Sequence, residues 1–162
     1  MEATDYLTRQ HRAIEQALRK ALDSEDAAAK RSQFLDIADA LILHIASEEQ
    51  VFYPAVHDDP NEDVLLESLE EHLALKRLVA DLLVLPGDDA TFQPKLRVLR
   101  ELCEHHHKDE ERKLFPEVRS KQDETRLEAV GAEMDALQLR LQAGGKPRRA
   151  VRRQVAAAAP LR

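Results

Sequence analysis

Apolar residues recur every three or four positions along most of this chain, and short runs rich in Pro, Gly, Asp and Asn break the recurrence into five stretches. That period stacks side chains on one face of a helix, so each stretch predicts an amphipathic helix. The first, near residues 5–22, carries Leu7, Ile14, Leu18 and Leu22, with Thr4 as the expected N-cap. The second begins within 25–33, carries Phe34, Ile37, Leu41 and Phe52, and is expected to stop at Pro54. The third follows HDDPNED and carries Leu65, Leu69, Val79 and Leu83; the fourth runs from near TFQP to Pro116 with Leu96, Leu99, Cys103 and Leu114. The fifth, over 124–142, repeats Leu127, Val130, Met134, Leu137 and Leu141 and is read as a packing helix. Four helices of this length with short connections predict an all-α, up-down-up-down four-helix bundle, with the fifth as an additional C-terminal helix.

Polar residues intrude into four of these apolar stripes in core register. His11 stands between Leu7 and Ile14, His44 and Glu48 between Leu41 and Phe52, His72 and Lys76 between Leu69 and Val79, and His106 and Glu110 between Cys103 and Leu114. An internal repeat sets the register within the histidine triplet at 105–107. Aligning EERKLFP at 110–116 on EEQVFYP at 48–54 places His106 on His44 and Glu110 on Glu48, an offset of 62. The first and third helices match as QHRAIEQALRKAL and EHLALKRLVADLL at an offset of 61. The chain is therefore a twofold repeat: a helix with one inward histidine, then a helix with HxxxE. His105 and His107, about 100° to either side of His106, are expected to face solvent.

Composition narrows what such a bundle is. Hydrophobic residues make up 43% and charged residues 34%, with only 4 Gly, the balance of a helical protein in water. Cys103 is alone, so it forms no internal disulfide. No apolar run reaches membrane-spanning length and the N-terminus has no signal-like pattern, so a cytoplasmic location is expected. The six basic residues of 144–162 have no acid among them, leaving 18 basic and 31 acidic residues in 1–143, a formal −13. A body that acidic is not expected to bind nucleic acid by phosphate neutralisation, and for the basic segment a solubilising or disordered end is the favoured reading over a nucleic-acid or anionic-surface contact. Residues 1–143 are read as the domain, and 144–162, after Gly144–Gly145, as a basic, disordered tail.

Each inward polar residue taken singly has a structural reading, since a lone histidine on an apolar face is often a hydrogen-bonded core residue. Four imidazoles and two carboxylates in one core are another matter, because each uncompensated ionised group costs several kcal/mol. Metal cations supply the compensation, which makes His11, His44, Glu48, His72, His106 and Glu110 candidate ligands. With no thiolate among them a structural zinc site of the Cys type is disfavoured, and four histidines argue against calcium or magnesium. The repeat predicts two ions, each held by two histidines and sharing two glutamates, with positions left open for an exogenous ligand and redox chemistry. Tyr6, Tyr53 and Glu15 lie close enough in sequence to assist, the tyrosines as donors or a phenolate ligand and Glu15 as an imidazole acceptor, although packing and exposure are the favoured readings. Glu49 and Glu111 are expected outward, Cys103 in the core, and His57 in a loop.

The order His, HxxxE, His, HxxxE on four helices, with EEQVFYP and EERKLFP after the pairs, resembles the hemerythrin-like family of HHE cation-binding domains over roughly residues 4–140. The resemblance implies a non-haem di-iron centre, oxo- or hydroxo-bridged, with those six residues as ligands. Two departures stand out. Lys76 occupies the place where oxygen-carrying members have a further histidine, and Glu110 follows His106 by four residues where they have an aspartate at five. A five-histidine carrier site is not expected, and the resemblance implies reactivity with peroxide or oxygen, in the manner of a catalase, or a non-catalytic sensor or binder of oxygen, nitric oxide or iron. Iron–sulfur repair relatives carry a further cysteine-bearing domain not found in this sequence. The expected partner is a small molecule.

Overall fold

A computed structural model describes residues 1–162, and all of its regular structure is helical. The long helices are α1 (Ala3–Asp23), α2 (Ala27–Ser47), α4 (Glu62–Leu83), α5 (Phe92–Asp109) and α7 (Glu124–Ala143). Two short helices, α3 (Tyr53–Val56) and α6 (Phe115–Lys121), continue α2 and α5 across wide π-type turns at Glu48–Phe52 and Glu110–Leu114. The first helix starts earlier than expected. Glu2, not Thr4, is the N-cap and accepts from the Asp5 amide, while Thr4 is fully buried within the helix and donates its hydroxyl to Glu2.

Apolar side chains divide into two clusters. One holds Leu18, Phe34, Leu41, Leu75, Val79, Phe92 and Leu99; the other holds Leu7, Phe52, Leu65, Leu69, Leu114 and Phe115. α1 and α4 each run from one cluster to the other, α2 and α5 do so together with the widened turns and short helices that continue them, and successive helices traverse the clusters in opposite order. The inward polar residues fall between the clusters in every helix, so the bundle carries a buried polar layer across its middle. Apolar packing above and below shields that layer from bulk solvent. α7 closes the side of the bundle against α1 and α2, and its Gly131 sits so near the chain start that a Cβ there would stand 2.4 Å from the Met1 carbonyl oxygen.

Pro54 and Pro116 do not end their helices. In a regular α-helix a proline ring strikes the carbonyl four residues back. Here the preceding turn is widened to i→i+5, with the Tyr53 amide donating to the Glu48 carbonyl and the Phe115 amide to the Glu110 carbonyl, and each proline then falls in the first turn of the next helix.

The segment after Gly144–Gly145 is also ordered in the structure, against the expectation of a flexible tail. Pro147–Gln154 forms a 3₁₀ helix on α2 and α4. Val151 is fully buried in the first apolar cluster, Arg148 binds Asp39 through its amide at 2.9 Å and its guanidinium at 2.6 Å, and Arg77 donates to the carbonyls of Val155 and Ala156. A single apolar residue among basic neighbours has too weak a period to announce this docking in sequence.

Candidate metal centre

All six residues singled out by the repeat meet in the polar layer, each at most 2% exposed. Glu48 lies at the centre with its two oxygens turned to different histidine pairs. Its Oε1 is 3.2 Å from His44 Nε2 and 3.9 Å from His11 Nε2; its Oε2 is 2.9 Å from His72 Nε2 and 3.9 Å from His106 Nε2. That is the disposition of a carboxylate able to bridge two cations. Glu110 Oε1 is 3.5 Å from His11 Nε2 and 3.1 Å from His106 Nε2, and so also spans the two pairs. Between the pairs, several buried atoms make no hydrogen bond: Nε2 of His11 and His44, and Oε1 of Glu48 and Glu110. Buried polar atoms are rarely left so, and a cation among them satisfies all at once.

The other ring nitrogen of each histidine is tied down. His11 Nδ1 lies 2.9 Å from Glu111, His72 Nδ1 3.1 Å from Glu49, His44 Nδ1 2.9 Å from Gln10, and His106 Nδ1 3.1 Å from Glu71. Acceptors at Nδ1 fix the tautomer that presents the Nε2 lone pair inward, as the partners of metal-bound histidines do. The arrangement obeys the sequence repeat: each HxxxEE helix lends its second glutamate to the opposite half's lone histidine, and Gln10 and Glu71, each just before a lone histidine, hold the paired ones. Glu49 and Glu111 are therefore turned to the site, not outward. The widened turns also bring inward the residue five positions beyond each glutamate. Tyr53 stacks on His72 at 5.5 Å between centroids, and Phe115 on His11 at 5.9 Å.

Five further residues were missed or misread in sequence. Tyr53 is fully buried and donates its hydroxyl to Glu110 Oε2 at 2.9 Å, whereas Tyr6 lines a cleft with Asp135 of α7. Glu15 is 7% exposed and His107 only 1%, with 2.9 Å between Glu15 Oε1 and His107 Nδ1; His105 alone of the flanking pair faces solvent. α5 packs on both α1 and α4, so its buried sector is wide enough for two adjacent histidines, His106 toward α4 and His107 toward α1. Lys76 is 3% exposed and donates to both oxygens of Glu49, at 2.9 and 3.0 Å, behind His72. α7 does more than pack: its Gln138 donates to Ser47 and to Gln10, the acceptor for His44. Cys103 is the buried core residue expected, its thiol pushed up to about 12 by burial.

Protonation is coupled to cation binding. Burial raises Glu110, as does Glu48, but His106 and His11 outweigh both and hold it near about 2. Glu48 is likewise held well below the carboxylate range, against its burial, by His44, His106 and His11. Burial lowers His44. In His11 burial is outweighed by Glu110, Glu111 and Glu48, which lift it to about 10, and the carboxylates lift His72 and His106 in the same way. Ionised carboxylates thus face imidazoles whose protons a cation must displace.

A buried layer of imidazoles with carboxylates placed to bridge two cations, inside a helical bundle, is the site of a cation-binding helical domain. Residues 2–118 match the family model for the hemerythrin HHE cation binding domain, and the chain belongs to that family. Its fold matches the crystal structure of a hemerythrin HHE cation binding domain-containing protein from Mycobacterium kansasii with a TM-score of 0.80 and 22% identity, covering 94% of this chain and 98% of the other. A protein from Nostoc sp. described as a DNA nickase is 24% identical over 142 residues, 88% of this chain but 40% of the relative's own length.

Proposed function

We propose that this protein is a non-haem di-iron protein that reacts with peroxide or oxygen. The observation that carries the reading is Glu48, whose two oxygens each address a different histidine pair in a layer sealed from solvent. Two iron ions bound there would supply the two-electron exchange that peroxide disproportionation or oxygen reduction requires. His11 and His44 would hold one ion and His72 and His106 the other, with Glu48 and Glu110 shared. Donors of this mixed nitrogen and oxygen type fit iron better than calcium or magnesium.

The remaining residues set the conditions. Apolar clusters on both sides screen the layer from bulk water. In the metal-free chain Tyr53 keeps its proton, since burial and the carboxylates of Glu110 and Glu48 raise its phenol well above the ordinary value. Its Oη is held 2.9 Å from Glu110 and 3.3 Å from His72 Nε2, within reach of anything bound between the pairs. DNA nicking, as described for the Nostoc relative, is not carried over: the chain's formal net charge of −7 disfavours a phosphate backbone, and two-fifths of that relative's length is all that is matched. No helix is long and apolar enough to cross a membrane.

The test is metal analysis of protein expressed with ample iron, followed by near-ultraviolet and visible spectra before and after peroxide and by oxygen release on an electrode. About two iron atoms per chain and a ferric-pair absorption are expected. Oxygen release with many turnovers supports the enzyme, while a spectral change without turnover favours the sensor. A colourless protein holding one zinc would sink the di-iron reading.

A further inference from the structure

We propose that His107 is a metal ligand, the third imidazole of the ion position formed by His11 and His44. The inference rests on the dinuclear reading above and makes the two ion positions chemically unequal.

Three observations converge on it. First, His107 is held as the other four inward histidines are, with Nδ1 tied to a side-chain acceptor, here the Glu15 carboxylate at 2.9 Å, and Nε2 buried. Glu15 lies on α1 one turn beyond His11 and is held by Arg12 at 2.6 Å, so the acceptor is itself braced. Second, His107 Nε2 is buried and makes no hydrogen bond, the same condition as Nε2 of His11 and His44. Ring nitrogens of His11, His44 and His107 lie within 4.8 Å of one another, and the His107 ring stacks on His11 at 3.9 Å with the planes 10° apart. Third, the repeat supplies an internal control. The position equivalent to His107 in the other half is Ile45, 1% exposed, which shows that packing at this place in the bundle needs no imidazole.

The twofold repeat is therefore broken in a paired way. One turn past the lone histidines stand Glu15 in one half and Lys76 in the other; Glu15 positions His107 over the His11–His44 pair, whereas Lys76 holds Glu49 behind His72. The two ion positions would have three imidazoles and two, with Tyr53 beside the poorer one. Neutral imidazoles bind first-row metals well, so the His11 position fills first under limiting metal.

Anaerobic titration of the full chain with ferrous ion against a competing chelator, paired with X-ray absorption at the iron edge, tests this. Wild-type protein is expected to take up two ions in separable steps and to show five imidazoles over the pair. In His107→Asn the amide nitrogen reproduces the hydrogen bond to Glu15 but nothing replaces Nε2; the tighter step should weaken more than tenfold and the count fall to four. His105→Ala, whose side chain is 62% exposed, should match wild type. Four imidazoles in the wild-type protein with two ions bound, or unchanged titration of a folded His107→Asn, overturns the assignment and leaves the dinuclear site standing. A wild-type protein that takes up one ion overturns the dinuclear reading instead. His107 is then judged on that ion: its imidazole count drops by one in the variant if His107 binds it, and a constant count overturns the assignment.

Discussion

Removing Glu49 and removing Glu111 are equivalent changes by the repeat, yet the structure predicts unequal outcomes. Each accepts from the Nδ1 of a lone histidine, so Glu49→Ala frees His72 and Glu111→Ala frees His11 to lose their orientation. Loss of such a partner weakens metal binding by about 10- to 100-fold, about 1.4–2.8 kcal/mol. The partners left behind differ. Arg12, beside Glu111, has a side chain 55% exposed and is rehydrated at once. Lys76, beside Glu49, has a side chain 4% exposed, and without Glu49 it is a buried, unpaired ammonium. Breaking a buried pair from one side costs about 3–5 kcal/mol, and at about 2–4 °C per kcal/mol for a chain of this size the melting temperature should fall by about 6–20 °C. Thermal and denaturant unfolding of the metal-free proteins reads the stability, and chelator competition reads the affinity. Glu49→Ala should lose both, Glu111→Ala chiefly affinity. Adding Lys76→Met to Glu49→Ala should restore the melting temperature and not the metal binding. Equal melting temperatures for the two single variants would refute the claim that Lys76 depends on Glu49.

Two shorter predictions concern the tail and pH. Val151→Asp puts a carboxylate into the first apolar cluster, so the segment after Gly145 should undock and its arginines become quickly cut by trypsin, with metal content unchanged; trypsin resistance equal to wild type would show that Val151 does not anchor it. The metal-free protein should be most stable near neutral pH. Glu15 and Glu110, held near about 2 in the fold, contribute stability that is present above the ordinary carboxylate range and lost as pH falls through about 2. His11, raised to about 10, contributes stability that is full below about 6.5 and lost as pH rises through about 10. Metal binding needs the neutral imidazole, so the alkaline decline should vanish in the loaded protein, and a loaded protein that retains it would show that His11 is not a ligand.

What the chain order determined by itself is whatever repeats locally. A period of three to four places His11, His44, Glu48, His72, His106 and Glu110 on the buried faces of four helices, because helix geometry alone decides which residues share a stripe. The offset of 62 distinguishes His106 from its neighbours for the same reason. Neighbouring helices, by contrast, decide how wide each buried sector is, and that is a tertiary quantity. His107 and Glu15 are buried because α1 lies against α5, and Glu49 and Glu111 turn to the site because each meets a histidine from the other half. The widened turns that carry Tyr53 inward, and let the helices run on through Pro54 and Pro116, have no periodic signature, since one extra residue in a turn shifts the stripe without changing its composition. The docking of Pro147–Gln154 rests on one valine and one arginine–aspartate pair 109 residues apart, a contact that exists only once the bundle has formed the surface it uses.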